Sequence, residues 1–139
     1  GAMFGVVPKT LWSRGIEADE KNRIQMTMRC LLIKSKATDK LYLIDNGLGT
    51  KFNEKLMKIY QVDFSKHTME KSFAEHGFSF EDVTDVIFTH LHFDHCGGTS
   101  YYDESGNQQY TFPNAEYHVT KSHWETATNP NAREKASFL

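Results

Sequence analysis

Apolar residues recur in two short aliphatic runs, Ile24 to Ser35 (IQMTMRCLLIKS) and Lys40 to Gly47 (KLYLIDNG), separated only by KATD. Runs of this kind bounded by turn-forming residues predict two strands, and the short spacer predicts a hairpin. Ahead of them, Phe4 to Pro8 (FGVVP) predicts a short strand or strand end stopped by proline, and the residues from there to Arg23 read as loop. Between Lys51 and Tyr60 the apolar residues Phe52, Leu56 and Ile59 share the spacing of one helical face, and Thr68 to His76 predicts a second short helix closed by Gly77. In SFEDVTDVIFTH, Ser79 and Asp82 resemble a helix-start signal, but the β-branched and aromatic VTDVIFT predicts a strand running into His90. Beyond it lie a glycine pair, a polar hairpin-like stretch from Asp103 to Gln108, and a predicted strand from Ala115 to Thr120. KSHWETAT and NAREKASFL predict helix, interrupted at Asn129-Pro130. There is no internal repeat or linker, so the pattern describes a single α/β unit.

Composition narrows the possible partners. With 139 residues, 39% hydrophobic, the chain can bury a core, and no apolar run approaches the roughly 18 residues of a membrane span. A net charge of −2 without a basic run gives no electrostatic reason to expect nucleic acid or a membrane surface. A small-molecule substrate fits better. The absence of a charged and then apolar leader pattern favours a cytoplasmic location. Cys30 and Cys96 are expected to be two reduced thiols.

The chemistry is concentrated in FTHLHFDHCGG, where His90, His92, Asp94 and His95 crowd together. On an extended segment residues two apart share a face, so His90 and His92 can present imidazoles to one ion. Asp94 and His95 need a bend to reach a second, and Gly97 and Gly98 permit it. Crowding three imidazoles and a carboxylate without a cation would cost several kcal/mol. Imidazole with carboxylate suits zinc, and also iron, manganese or cobalt. The isolated His67, His76, His118 and His123 read as surface or packed residues.

THLHFDH matches the H-x-H-x-D-H signature of the metallo-β-lactamase superfamily. Together with FGVVPKTLW, LIDNGLG, HLHFDHCGG and the segment from FPNAEYH onward, it resembles the lactonase-like, quorum-quenching branch of those hydrolases. The resemblance implies an αββα sandwich of which residues 1–139 are the N-terminal half of one domain. It implies two divalent metal ions, zinc foremost, with His90 and His92 on the first and Asp94 and His95 on the second. Asp45 would orient a ligand by hydrogen bond, and Asp94 would also act catalytically by shuttling a proton. Cys96, where the family often has a smaller residue, would pack beneath the metal loop. The implied reaction is attack of a metal-bound hydroxide on the carbonyl of a lactone or related ester. The alternatives are a glyoxalase II-like thioester hydrolase and a catalytically incomplete metal-binding fragment. The family's remaining ligands fall outside this chain. The missing C-terminal half or another chain is therefore the expected partner, and an uncovered apolar sheet face is the expected consequence.

Overall fold

The two aliphatic runs pair as an antiparallel ladder, but over four residues each: β1 (Leu31–Lys34) against β2 (Leu41–Ile44), with Leu31 opposite Ile44 and Ile33 opposite Tyr42. The structure, a computed structural model, describes residues 2–138. Residues 24–30 lie outside any ladder. The partner strand turns away beyond Ile44, where Asp45, Gly47 and Gly49 take φ of 56°, 69° and 67°, so the hairpin cannot lengthen in that direction.

The N-terminal segment differs from the strand and loop predicted for it. A 3-10 turn (Ala2–Phe4) is followed by the helical turn α1 (Lys9–Trp12), which begins directly after Pro8. Phe4 stacks on Trp12 with ring centroids 4.6 Å apart, and this local contact forms where a strand would have no partner.

Helix α2 (Glu54–Tyr60) starts where the Asn53 side chain accepts from the Leu56 amide at 3.0 Å, and α3 (Met69–Glu75) where Thr68 accepts from Lys71 at 3.1 Å. The Ser79 and Asp82 signal forms a capping box on a single 3-10 turn (Phe80–Asp82), and the β-branched residues then form β3 (Asp85–Ile87). β3 lies parallel to β2, and β6 (Glu116–His118) lies parallel to β3, giving a mixed sheet in the order β1-β2-β3-β6. β4 (Ser100–Tyr102) and β5 (Gln108–Tyr110) form a separate hairpin. Its turn is held by the Asp103 carboxylate, which accepts from the amides of Ser105 and Asn107. Helix α5 (Lys121–Thr128) follows, and the helix predicted over NAREKASFL is reduced to one 3-10 turn (Lys135–Ser137).

The sheet buries one face. Leu41, Leu43 and Val86 pack with Val83, Phe73, Phe88 and Phe112, and the rings of Phe73, Phe80 and Phe112 meet edge to face or tilted at 5.1 to 6.3 Å. Each fully buried side chain of this size stabilises the fold by about 1.5–3 kcal/mol. The opposite face carries Leu31, Ile33, Tyr42, Ile44, Asp85 and Ile87 in register, and there Leu31 is 57% and Ile33 43% exposed. Among the described residues no helix is long and apolar enough to cross a membrane.

Candidate metal centre

Beyond the last paired residues, β2 and β3 each run into a loop, and the two loops meet backbone to backbone. Asp45 N donates to Ile87 O at 3.0 Å, Asn46 N to His95 O at 2.8 Å and Gly98 N to Gly47 O at 3.1 Å. The glycine pair makes this approach possible. A Cβ on Gly97 would stand 2.2 Å from the Leu48 carbonyl oxygen, and one on Gly98 2.2 Å from that of Asn46. The clasp carries the Asp45 carboxylate to His95.

Phe88 N still donates to His118 O at 3.0 Å, after which Thr89 and His90 leave the sheet. The single helical turn α4 (Phe93–Cys96), closed by bonds from the amides of His95 and Cys96 to His92 O, swings Asp94 and His95 back toward His90. The rings of His90 and His92 then lie 4.6 Å apart, those of His90 and His95 3.9 Å apart, and His95 Nε2 lies 3.5 Å from Asp94 Oδ2. The fold thus gathers His90, His92, Asp94 and His95 at one end of the sheet. Asp45 sits behind them. Its Oδ2 accepts from His95 Nδ1 at 2.8 Å and from the Thr89 hydroxyl at 2.7 Å, and its Oδ1 accepts from the Thr89 amide at 2.8 Å.

The electrostatics follow from this packing. Burial alone would raise the Asp45 carboxyl, but the hydrogen bonds from His95 and Thr89 outweigh it and hold the group below the usual carboxylate range. Burial, with the neighbouring His95 and His92, lowers His90 below the ordinary histidine value. Burial and the Asp45 charge push the Cys30 thiol up to about 11, and burial raises Cys96 as well. Both cysteines are free, and Cys96 Sγ donates to Leu91 O at 3.4 Å.

Three contributors escape a reading of the sequence alone. Phe93 is wedged between Phe52 and Tyr60, with centroids 5.4 and 5.2 Å away, which braces the turn between His92 and Asp94. Phe138 meets the His92 ring edge-on at 5.0 Å. Thr89 links the first histidine to Asp45, and its only sequence signal is a hydroxyl next to His90.

His118 lies elsewhere. Asp85, Glu116 and His118 offer donor atoms within 4.8 Å of one another. The Asp85 carboxylate already accepts from Lys40 at 3.0 Å, Thr84 at 2.7 Å and His118 Nε2 at 2.9 Å. A cation there would have to displace the Lys40 ammonium, so this is an ion-pair network at the start of β3.

The metallo-beta-lactamase superfamily model matches residues 29–131, a span running from β1 through α5 and containing the whole cluster. The chain belongs to that superfamily. Its α/β fold with a mixed sheet agrees with the fold expected from the motif. A Staphylococcus aureus structure described as a probable metal-dependent hydrolase is 35% identical, with a TM-score of 0.83, over 100% of this chain and 48% of its own. The structure of AidC, a dizinc quorum-quenching lactonase in complex with a product, is 32% identical with a TM-score of 0.54, over 73% of this chain and 29% of its own. A Mycobacterium tuberculosis protein described as a probable metallo-hydrolase is 23% identical across 99% of this chain and 45% of its own length. The chain therefore spans about half the length of the curated relatives it matches. The superfamily binds divalent metals.

Proposed function

We propose that residues 1–139 supply the N-terminal half of a two-metal hydrolase domain that opens a lactone or a related ester. The observation that carries this reading is the ring-on-ring packing of His90, His92 and His95 beside the Asp94 carboxylate. His95 is the informative member. An ionised carboxylate only accepts, so the Nδ1 facing Asp45 at 2.8 Å carries the proton, and in the neutral ring Nε2 carries a lone pair. With the ring neutral, that lone pair lies 3.5 Å from an Asp94 oxygen, a separation that a shared cation fits.

In this reading His90 and His92 hold the first ion, and Asp94 and His95 the second. The imidazole and carboxylate donors suit zinc, and the likeness to a dizinc lactonase favours the same choice. When bound, such a pair supplies Lewis acidity and a water whose pKa is lowered toward 7. Asp45 fixes the His95 ring by accepting a charge-assisted hydrogen bond from its Nδ1–H. Asp94, with its side chain 31% exposed, would take a proton from the attacking water on a carboxylate oxygen and return it to the leaving alkoxide. Beside Asp94 and His95 lies a cavity of about 210 Å³ whose other walls include Met3, Met26, Met28 and Cys30. Three thioethers, with Arg29 and Asp45 on the same walls, suit a flexible acyl chain that ends in a polar group. A larger hollow of about 740 Å³ against α2 touches none of the clustered residues. The remaining ligands come from a C-terminal half or from another chain, which would also cover the exposed Leu31 and Ile33. The 48% coverage of the Staphylococcus aureus structure supports this arrangement.

Elemental analysis of the dialysed protein, with intact mass to detect a companion polypeptide, tests the reading. Metal near two ions per completed site, lost in His92→Ala together with turnover of an acyl lactone, is expected. Metal retained at full stoichiometry in His92→Ala would overturn the ligand set. Turnover of a thioester with none of a lactone would move the substrate to the glyoxalase II-like class. A lone chain without metal would leave the incomplete fragment.

A further inference from the structure

We propose that Thr89 is a positioning residue that fixes the His90 ring in its Nδ1–H form and so presents Nε2 as the ligand atom. This rests on the reading of His90 as a metal ligand. The hydroxyl of Thr89 has one proton and two acceptor lone pairs. It lies 2.7 Å from Asp45 Oδ2, and an ionised carboxylate cannot donate, so the hydroxyl proton points at Asp45. The same oxygen is 3.1 Å from His90 Nδ1 and has only lone pairs left to offer there, so Nδ1 carries the hydrogen. On the other side of the carboxylate, His95 Nδ1 donates to the same Oδ2 at 2.8 Å.

One carboxylate therefore dictates two tautomers. It acts on His95 directly and on His90 through a hydroxyl, and each ring, when neutral, is left with an unprotonated Nε2. The Thr89 amide, donating to Asp45 Oδ1 at 2.8 Å, holds the carboxylate in place by a bond that no side-chain replacement removes. A free histidine ring prefers to carry its proton on Nε2, the atom that this arrangement frees. The hydroxyl thus counters an intrinsic preference at the point where the metal would be held.

Thr89→Val keeps the branched shape and the amide but removes the hydroxyl, and Thr89→Ser keeps the hydroxyl without the methyl group. Long-range proton–nitrogen NMR on the metal-free protein at pH 8, above the ordinary histidine range, reads the tautomer of each ring without reference to metal or turnover. His90 is expected as Nδ1–H in the unsubstituted protein and in Thr89→Ser, and shifted toward Nε2–H in Thr89→Val, with His95 unchanged in all three. Zinc affinity by competition with a chelating dye is expected to fall about 10- to 100-fold in Thr89→Val and to be restored in Thr89→Ser. An unchanged His90 tautomer in Thr89→Val would overturn the proposal, and so would a Thr89→Ser protein that behaves like Thr89→Val. If the tautomers behave as expected and the unsubstituted protein binds no zinc, the ring assignment stands and the two-metal reading gives way to the incomplete fragment.

Discussion

Gly97→Ala isolates the clasp that builds the candidate centre. Gly97 has φ −61° and ψ −28°, a conformation alanine adopts freely, so the substitution introduces no backbone strain of its own. What it introduces is a methyl group 2.2 Å from the Leu48 carbonyl oxygen and 2.8 Å from its carbon. A carbon–oxygen contact needs more than 3 Å, so the two loops must part by about 1 Å. That movement strains or breaks the bonds from Asn46 N to His95 O and from Gly98 N to Gly47 O, now 2.8 and 3.1 Å. Two such bonds at about 1 kcal/mol each, with an overpacking cost of about 1–3 kcal/mol, predict a loss of about 3–5 kcal/mol. Parting the loops also withdraws Asp45 from His95, so zinc affinity should fall with stability. Urea unfolding followed by circular dichroism measures the first, and dye competition the second. An unfolding free energy within about 0.5 kcal/mol of the parent, with zinc affinity unchanged, would refute the contact reasoning. Gly77→Ala distinguishes the two origins of cost, since Gly77 has φ 75° with nothing within 4 Å and should lose stability without loss of metal.

Two further outcomes follow from the packing. Asp85→Asn removes the charge that Lys40, Thr84 and His118 share, and should cost about 1–3 kcal/mol in thermal or urea unfolding. Burial raises the Asp85 carboxyl, but hydrogen bonds from Thr84, Lys40 and His118 more than offset it, so its folded pKa lies below the unfolded value of 3.8. Its contribution is therefore complete above pH 3.8 and is lost as the pH falls through the depressed folded value. The stability difference between Asp85→Asn and parent should shrink only in that acid window, and a difference independent of pH down to 2 would show that the Asp85 charge itself adds nothing to the network. Phe112→Ala, at a fully buried ring packed on Phe73 and Phe80, should cost about 3–5 kcal/mol. That corresponds to a melting temperature lower by about 10 °C or more, and a variant melting within about 3 °C of the parent would place the core elsewhere.

The legible parts of the molecule were those with local causes. Aliphatic runs locate β1, β2 and β3, although each strand is shorter than its run because a ladder ends where its partner turns away. The Ser79 cap sets its turn through Asp82 three residues on, whereas the Asn53 cap, inside the predicted Lys51 to Tyr60 span, delays that helix to Glu54. FGVVP misleads because apolar character predicts burial without naming a partner, and Trp12 supplies one through a local helical turn.

The candidate centre divides in the same way. Its donors, His90, His92, Asp94 and His95, lie within one short segment, and spacing alone suggests that they converge. Asp45 is 50 residues from His95, and the bond between them exists because β2 and β3 are parallel neighbours whose loops emerge at the same end of the sheet. Strand order also decides which oxygen Thr89 reaches, and hence which nitrogen of His90 is free. Residue types and short spacings determine which chemistry is available, because those depend on covalent neighbours. Proton positions, ring orientation and the bracing of Phe93 by Phe52 and Tyr60 depend on distances between segments far apart in the chain, and only the folded chain sets those.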